Sequence, residues 1–125
     1  MEKSIALTLL LFVLFVSGCS EKQELTIEDI LLALDNEGIE YNEMSQIPEL
    51  RSTKENYSYE LSEGRLRVHL FSSDEDRKEV QADPYPTAMF ATPTATYGLH
   101  KVLIFYMQGN DRLVTKLDSA FEDFE

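Results

Sequence analysis

Apolar residues recur at helical spacing in two segments of the chain. The first begins with the capping-box pattern Thr26-x-x-Asp29 and ends before Gly38, which predicts a helix over 27–37. Its apolar face consists of Ile27, Ile30, Leu31 and Leu34. The second segment follows Asn110, a favourable N-cap residue. Its stripe consists of Leu113, Val114, Leu117, Ala120, Phe121 and Phe124.

Between these segments, apolar and polar residues alternate from 57 to 71 and predict a β-hairpin. A two-residue turn at Glu63-Gly64 gives one register with two consistent faces. Its apolar pairs are Leu61 with Leu66, Tyr59 with Val68 and Tyr57 with Leu70. Its polar pairs are Glu60 with Arg67 and Ser58 with His69. Because a one-residue slip would exchange the faces, this agreement favours the register.

The rest of the chain predicts one helix, two strands and two irregular segments. Ser73 caps a short polar helix that ends at Asp83-Pro84. The proline-flanked segment 94–97 is typical of an edge strand, whereas 101–107 is apolar on both faces and belongs inside a sheet. Segments 39–56 and 84–93 are expected to be loops, although 39–41 also fits the start of a short edge strand.

These elements predict an α+β fold of order α-β-β-α-β-β-α. A right-handed crossover through the second helix leaves a gap between strands 66–71 and 94–97, which strand 101–107 fills antiparallel to both. The result is a four-stranded antiparallel sheet with the first and last helices on one face. The expected strand order is 57–62, 66–71, 101–107 and 94–97.

The N-terminal segment contains the apolar run 5–16, which is shorter than a membrane span and typical of a signal peptide. Val16-Ser17-Gly18-Cys19 follows and resembles the lipobox of bacterial lipoproteins. The resemblance implies that signal peptide 1–18 is removed and that Cys19 carries diacylglycerol and acyl chains. Segment 19–26 would then be a short tether, followed by a single domain over 27–125. The alternative is an uncleaved anchor helix with an incidental cysteine.

The resemblance implies an extracytoplasmic protein held on the cell membrane by its lipid. In a Gram-negative host, Ser20 after the cysteine would also permit the outer membrane. The net charge is −12, which disfavours nucleic acid and anionic headgroups as partners. Cys19 is the sole cysteine, so no disulfide within the chain is expected.

The titratable residues do not form a recognised catalytic or metal-binding motif. His69 and His100 lack the spacing of metal ligands, and Asp74-Glu75-Asp76 lacks the alternation of an EF-hand loop. Glu60 and Glu63 could act as paired carboxylates in hydrolysis, but a cross-strand pair and a turn explain them more simply. No catalytic residue, metal or cofactor is therefore predicted.

Two helices on one face would leave several large apolar side chains uncovered. These are half of segment 102–107 and the residues Tyr57, Tyr59, Met89, Phe90 and Tyr97. Either segments 39–56 and 84–93 cover the second face of the sheet, or that face or its edge binds a partner. The general layout resembles small Gram-positive lipoproteins of unassigned function.

We therefore expect a non-enzymatic module that binds another envelope protein near the membrane. The alternatives are a hydrolase or ligand-binding domain with a site near loop 39–56, and a structural or stress-related envelope protein. The sequence does not define an oligomeric state.

Overall fold

The computed structural model describes residues 24–47, 49–83 and 92–124. They form an α+β fold with an antiparallel sheet. In chain order the elements are α1 (Ile27–Asn36), β1 (Tyr41–Glu43), β2 (Thr53–Leu61), β3 (Arg65–Phe71), α2 (Asp74–Ala82), β4 (Ala95–Leu99), β5 (Val102–Met107), α3 (Asp111–Phe121) and a 3-10 turn (Glu122–Phe124).

Within the described residues the sheet has five strands in the order β1-β2-β3-β5-β4. The predicted order of β2, β3, β5 and β4 is confirmed, and β5 runs antiparallel to both of its neighbours. The predicted number of four strands is wrong. The additional strand is β1, which pairs with the end of β2 and falls in a segment expected to be mainly loop.

The hairpin of β2 and β3 differs from the predicted register by two residues. Tyr59 lies opposite Leu66, and Tyr57 lies opposite Val68. The Leu61 N–H donates to the Gly64 carbonyl at 3.1 Å, so the turn moves one residue towards the N-terminus. Because the shift is an even number, each side chain keeps the face predicted for it.

The position of Gly64 explains this shift. Its φ is +82°, a conformation that favours glycine. A Cβ at this position would collide with the Met107 carbonyl and approach the Gly109 backbone. The glycine therefore lies where the hairpin end meets the chain after β5, a contact that the hairpin sequence does not contain.

Helices α1 and α3 pack against one face of the sheet, here termed the helix face. Thr26 and Asp29 form the predicted capping box of α1, and the Asn110 side chain accepts the Leu113 N–H at 2.9 Å. The core of this face includes Ile30, Leu34, Leu66, Val68, Ile104, Tyr106, Leu117 and Phe121, each completely or almost completely buried.

Helix α2 packs on the opposite face, here termed the second face, where it contacts β3, β4 and β5. Gly98 lies under this helix, and the ends of the Arg77 and Gln81 side chains occupy the space that a Cβ there would need. The apolar cluster consists of Phe71, Val80, Leu103, Phe105 and Met107, with Leu50 packed beside it.

The polar residues of the second face are also buried, with Arg67 7 % and His69 1 % exposed. The polar face predicted for the hairpin is thus buried at these two positions. In the part of the chain that the structure describes, no helix has the length and apolarity needed to cross a membrane.

Candidate functional site

Glu24, the first residue that the structure describes, lies beside the turn between β4 and β5. Lys101 Nζ lies 2.7 Å from Glu24 Oε1, and this hydrogen bond lowers the pKa of Glu24. Cys19, the predicted lipidation site, lies outside the described residues, as do Met89 and Phe90. Glu24 is five residues after Cys19, a separation of at most about 18 Å in an extended chain.

An acidic cleft of about 390 Å³ surrounds this entry point. It includes His100, whose carbonyl accepts a hydrogen bond from Arg77 Nε at 2.8 Å. Its acidic residues are Glu24, Asp29, Asp74 and Asp123. Among the described residues, no group of three or more His, Cys, Asp or Glu side chains is arranged to hold a metal ion.

His69 is buried on the second face and begins a partly buried chain of hydrogen bonds. Its Nδ1 is 2.6 Å from Asn56 Oδ1, and Asn56 Nδ2 donates to Thr53 Oγ1 at 2.9 Å. The Thr53 hydroxyl then donates to the Leu50 carbonyl at 2.7 Å. Burial, with a smaller effect of Arg67, lowers the pKa of His69 to about 4. The neutral imidazole therefore takes part in hydrogen bonds that connect β3 to β2 and β2 to the segment before it.

The two candidate catalytic carboxylates, Glu60 and Glu63, have separate structural contacts. Glu60 lies opposite Arg65, so the predicted pairing with Arg67 is wrong. Glu63 is in the hairpin turn, where its carboxylate accepts a hydrogen bond from the Asn110 side chain. Its carbonyl also accepts the Tyr106 hydroxyl at 2.7 Å. These bonds connect the hairpin to the start of α3.

Three tyrosine rings contact one another in series near the β1 edge of the sheet, here termed the tyrosine platform. The Tyr41 and Tyr59 rings meet edge to face, with centroids 5.6 Å apart and planes at 80°. The Tyr57 and Tyr59 rings are stacked, with centroids 6.5 Å apart and planes at 11°. Tyr59 is buried, whereas Tyr41 and Tyr57 are only partly buried.

The alternation of the strands and the course of α1 produce this arrangement. Pairing places Tyr41 opposite Leu61 and Glu43 opposite Tyr59, so their side chains share the helix face. Glu55 and Tyr57 follow on the same face of β2. In α1, Glu28 and Asp35 are seven residues apart and share the stripe next to this edge.

Four carboxylates surround the tyrosine platform. Burial raises the pKa of Tyr59 to about 12, with Glu43 the next cause and Glu28 a smaller one. Burial and then Glu55 raise the pKa of Tyr57, and burial and then Asp35 raise that of Tyr41. Each of these phenol pKa values is raised by burial first and then by at least one carboxylate, and for Tyr59 the neighbouring phenols of Tyr57 and Tyr41 add to the effect.

A shallow open depression of about 610 Å³ adjoins the platform. Its residues are Asp35, Gly38, Ile39, Glu40, Tyr41 and Asn42. Loop 39–56 is shorter than expected, because β1 and β2 occupy both of its ends. The depression is the part of this region that could accept a small ligand.

Sequence reasoning noted Tyr57 and Tyr59 but missed Tyr41 and the four carboxylates. The available signal was the concentration of acidic residues between 28 and 60. Tyr97, which the sequence analysis named as a spare apolar side chain, is buried, and so are Leu103 and Phe105 of segment 102–107. No family model, curated protein or solved structure matches this chain.

Proposed function

We propose that this chain is a membrane-anchored extracytoplasmic lipoprotein whose domain is a non-enzymatic module for binding another envelope protein. The observation that carries the binding proposal is the tyrosine platform at the β1 edge. Tyrosine is enriched in protein interfaces, because it combines a large contact area with a polar hydroxyl. The platform lies beside an edge strand of only three residues.

The anchoring part of the proposal rests on the lipobox-like sequence ending at Cys19. Two or more acyl chains provide stable membrane attachment, whereas a single chain is marginal. Because Glu24 pairs with Lys101, the tether would enter the domain beside the β4–β5 turn. This geometry favours a domain held close to the membrane, with that turn towards the lipid.

Crosslinking in native membranes tests this function. Protein produced from the full sequence is crosslinked, extracted and purified beside a Cys19→Ala variant. We expect the unsubstituted protein to fractionate with membranes and to yield one stoichiometric protein partner. The variant should leave the membrane fraction and lose that partner. Membrane retention of the variant would overturn the lipid anchor, and the absence of a partner would overturn the binding function.

The depression at 35–42 favours a second candidate, a small-ligand site near loop 39–56. Its test is a thermal-shift screen of the same protein against small polar metabolites. A stabilising compound whose effect is lost in Asn42→Ala would support this candidate. If no compound stabilises the protein, the candidate fails.

A further inference from the structure

We propose that the tyrosine platform and its four carboxylates form a binding site for a basic polypeptide segment, whose arginine or lysine side chains lie on Tyr41 and Tyr57. This inference rests on the proposed protein-binding function and specifies the chemistry of the partner. Among the surfaces of the described residues, this one combines accessible aromatic rings with carboxylates from three elements: Glu28 and Asp35 of α1, Glu43 of β1 and Glu55 of β2.

The aromatic component favours cations. A guanidinium or ammonium group is attracted to the negative face of an aromatic ring, and the attraction increases as water is excluded. Tyr57 is stacked on Tyr59, which is 4 % exposed and fixed in the core. Tyr41 is held against the same ring. The accessible rings are therefore pre-positioned, which reduces the entropy lost on binding.

No ion pair among the described residues uses the four carboxylates, although Asp35 and Glu55 lie within hydrogen-bonding reach of the Tyr41 and Tyr57 hydroxyls. Among residues 24–47, 49–83 and 92–124, the ion pairs are Arg51 with Glu79 and Asp83, and Lys101 with Glu24. None of them uses the four carboxylates beside the platform. A basic segment would meet negative charge on both sides of the rings, from the helix and from the strands. The overall charge of −12 would also increase its rate of association.

The surface is better suited to an extended basic peptide than to a single bound cation. The four carboxylates come from α1, β1 and β2, so they flank the rings rather than converge on one point. No group of described residues is arranged to hold a metal ion. Successive basic side chains of one peptide could contact Tyr41 and Tyr57 in turn while pairing with carboxylates on either side.

The first experiment separates local recognition from overall charge. Protein made from the full sequence and extracted in a zwitterionic detergent is titrated with a fluorescein-labelled peptide of alternating arginine and serine. The Glu43→Gln/Glu55→Gln variant should bind about fivefold more weakly, because two exposed charge pairs are lost. The matched control Glu75→Gln/Glu122→Gln has the same net charge and should change affinity less than about twofold, because salt screens distant charges.

The second experiment tests the rings. Tyr57→Leu should weaken peptide binding about threefold, whereas Tyr57→Phe should retain it, because Phe preserves the aromatic face. Thermal melting confirms that each variant is folded before it is compared. A labelled glutamate–serine peptide should not bind. Equal weakening by both glutamine pairs, or equal binding by the Leu and Phe variants, would overturn the proposed site.

The membrane crosslinking experiment keeps this inference separate from the proposed function. If Glu43→Gln/Glu55→Gln loses the crosslinked partner while the control pair retains it, both are supported. If all variants retain the partner, the protein-binding function stands and this site is wrong. If no partner crosslinks but the arginine peptide binds with the expected variant pattern, the site stands and the envelope-protein function is wrong.

Discussion

The two faces of the sheet bury their side chains by different means. On the helix face, β3 and β5 present only apolar and tyrosine side chains to α1 and α3. On the second face, Arg67 and His69 occupy alternate positions of β3, and they lie opposite Phe105 and Leu103 of β5. All four are buried, and the His69 ring meets the Phe105 ring at a centroid distance of 5.8 Å.

This difference shows what each face requires of the sequence. An apolar face requires matched volumes, and it tolerates hydrophobic exchange if the volume is preserved. A buried polar group also requires a hydrogen-bond partner in a fixed position, since leaving it without one costs about 1–3 kcal/mol. The chain from His69 through Asn56 and Thr53 supplies such partners. We therefore expect a fall in pH to destabilise the second face more than the helix face.

The largest effect is expected from removing a ring on the helix face. Phe121 is completely buried and packs on Tyr97 with centroids 5.0 Å apart. Phe121→Ala should lower the free energy of unfolding by about 4 kcal/mol, at all pH values where the protein is folded, because it leaves a cavity. Urea unfolding measures the change. Phe124→Ala, in the 3-10 turn after this helix and only partly buried, is the control, and equal losses would contradict this account.

The second prediction concerns His69 and pH. Its pKa in the folded protein is about 4, below the ordinary value of 6.5, because burial disfavours the charged ring. Its contribution to stability is therefore complete above the unfolded pKa and is lost as pH falls towards 4. Between about pH 7 and about pH 5, this group alone should cost about 2 kcal/mol.

Urea unfolding at both pH values, with His69→Gln and His100→Gln, isolates this contribution. His100 is exposed in the β4–β5 turn and serves as the matched control. The His69 variant should lose most of the histidine-dependent part of the pH response, and the His100 variant should retain it. Identical pH responses in the two variants would show that carboxylates, rather than His69, determine the acid sensitivity.

Local patterns predicted most of the helix face. The stripes of α1 and α3, their caps and the central position of β5 all follow from periodicity and from side-chain hydrogen bonds within a few residues. The order of β2, β3, β5 and β4 then follows from chain connectivity, because a right-handed crossover leaves one gap for an apolar strand.

The errors arose where distant contacts override local patterns. The hairpin register depends on Gly64 meeting Met107, which is far away in sequence. Arg67 and His69 fit a polar strand face, and their burial becomes evident only when the second face is assembled. Strand β1 is too short for its alternation to be distinguished from loop.

The candidate site shows the same limit. Residues 16–19, which resemble a lipobox, are contiguous, so lipidation at Cys19 can be proposed from sequence alone, and it stays a prediction. The tyrosine platform joins α1, β1 and β2, and Tyr41 meets Tyr59 only through strand pairing. Its acidic residues enter the sequence analysis only through the net charge of −12, because composition does not show which of them share a surface.

A third prediction tests packing on the second face. Val80 is 1 % exposed and is the buried apolar residue through which α2 joins the cluster on this face. Val80→Ala should lower the free energy of unfolding by about 2 kcal/mol, from two lost methyl groups and the cavity they leave. Lys78→Ala, on the exposed side of α2, should have little effect in the same urea experiment. A loss below that of Lys78→Ala would show that α2 contributes little to covering this face.

The smallest effect is expected from the ion pairs that join α2 to the chain before β2. Arg51 lies 3.5 Å from Glu79 and 3.4 Å from Asp83, but its side chain is 51 % exposed. Exposed pairs of this kind contribute less than about 1 kcal/mol, because water and salt screen them. Arg51→Gln should therefore destabilise the protein less than Val80→Ala, and the difference from the unsubstituted protein should shrink further as salt is raised. If Arg51→Gln is instead the more damaging change, charge pairing rather than packing would hold α2 over the second face.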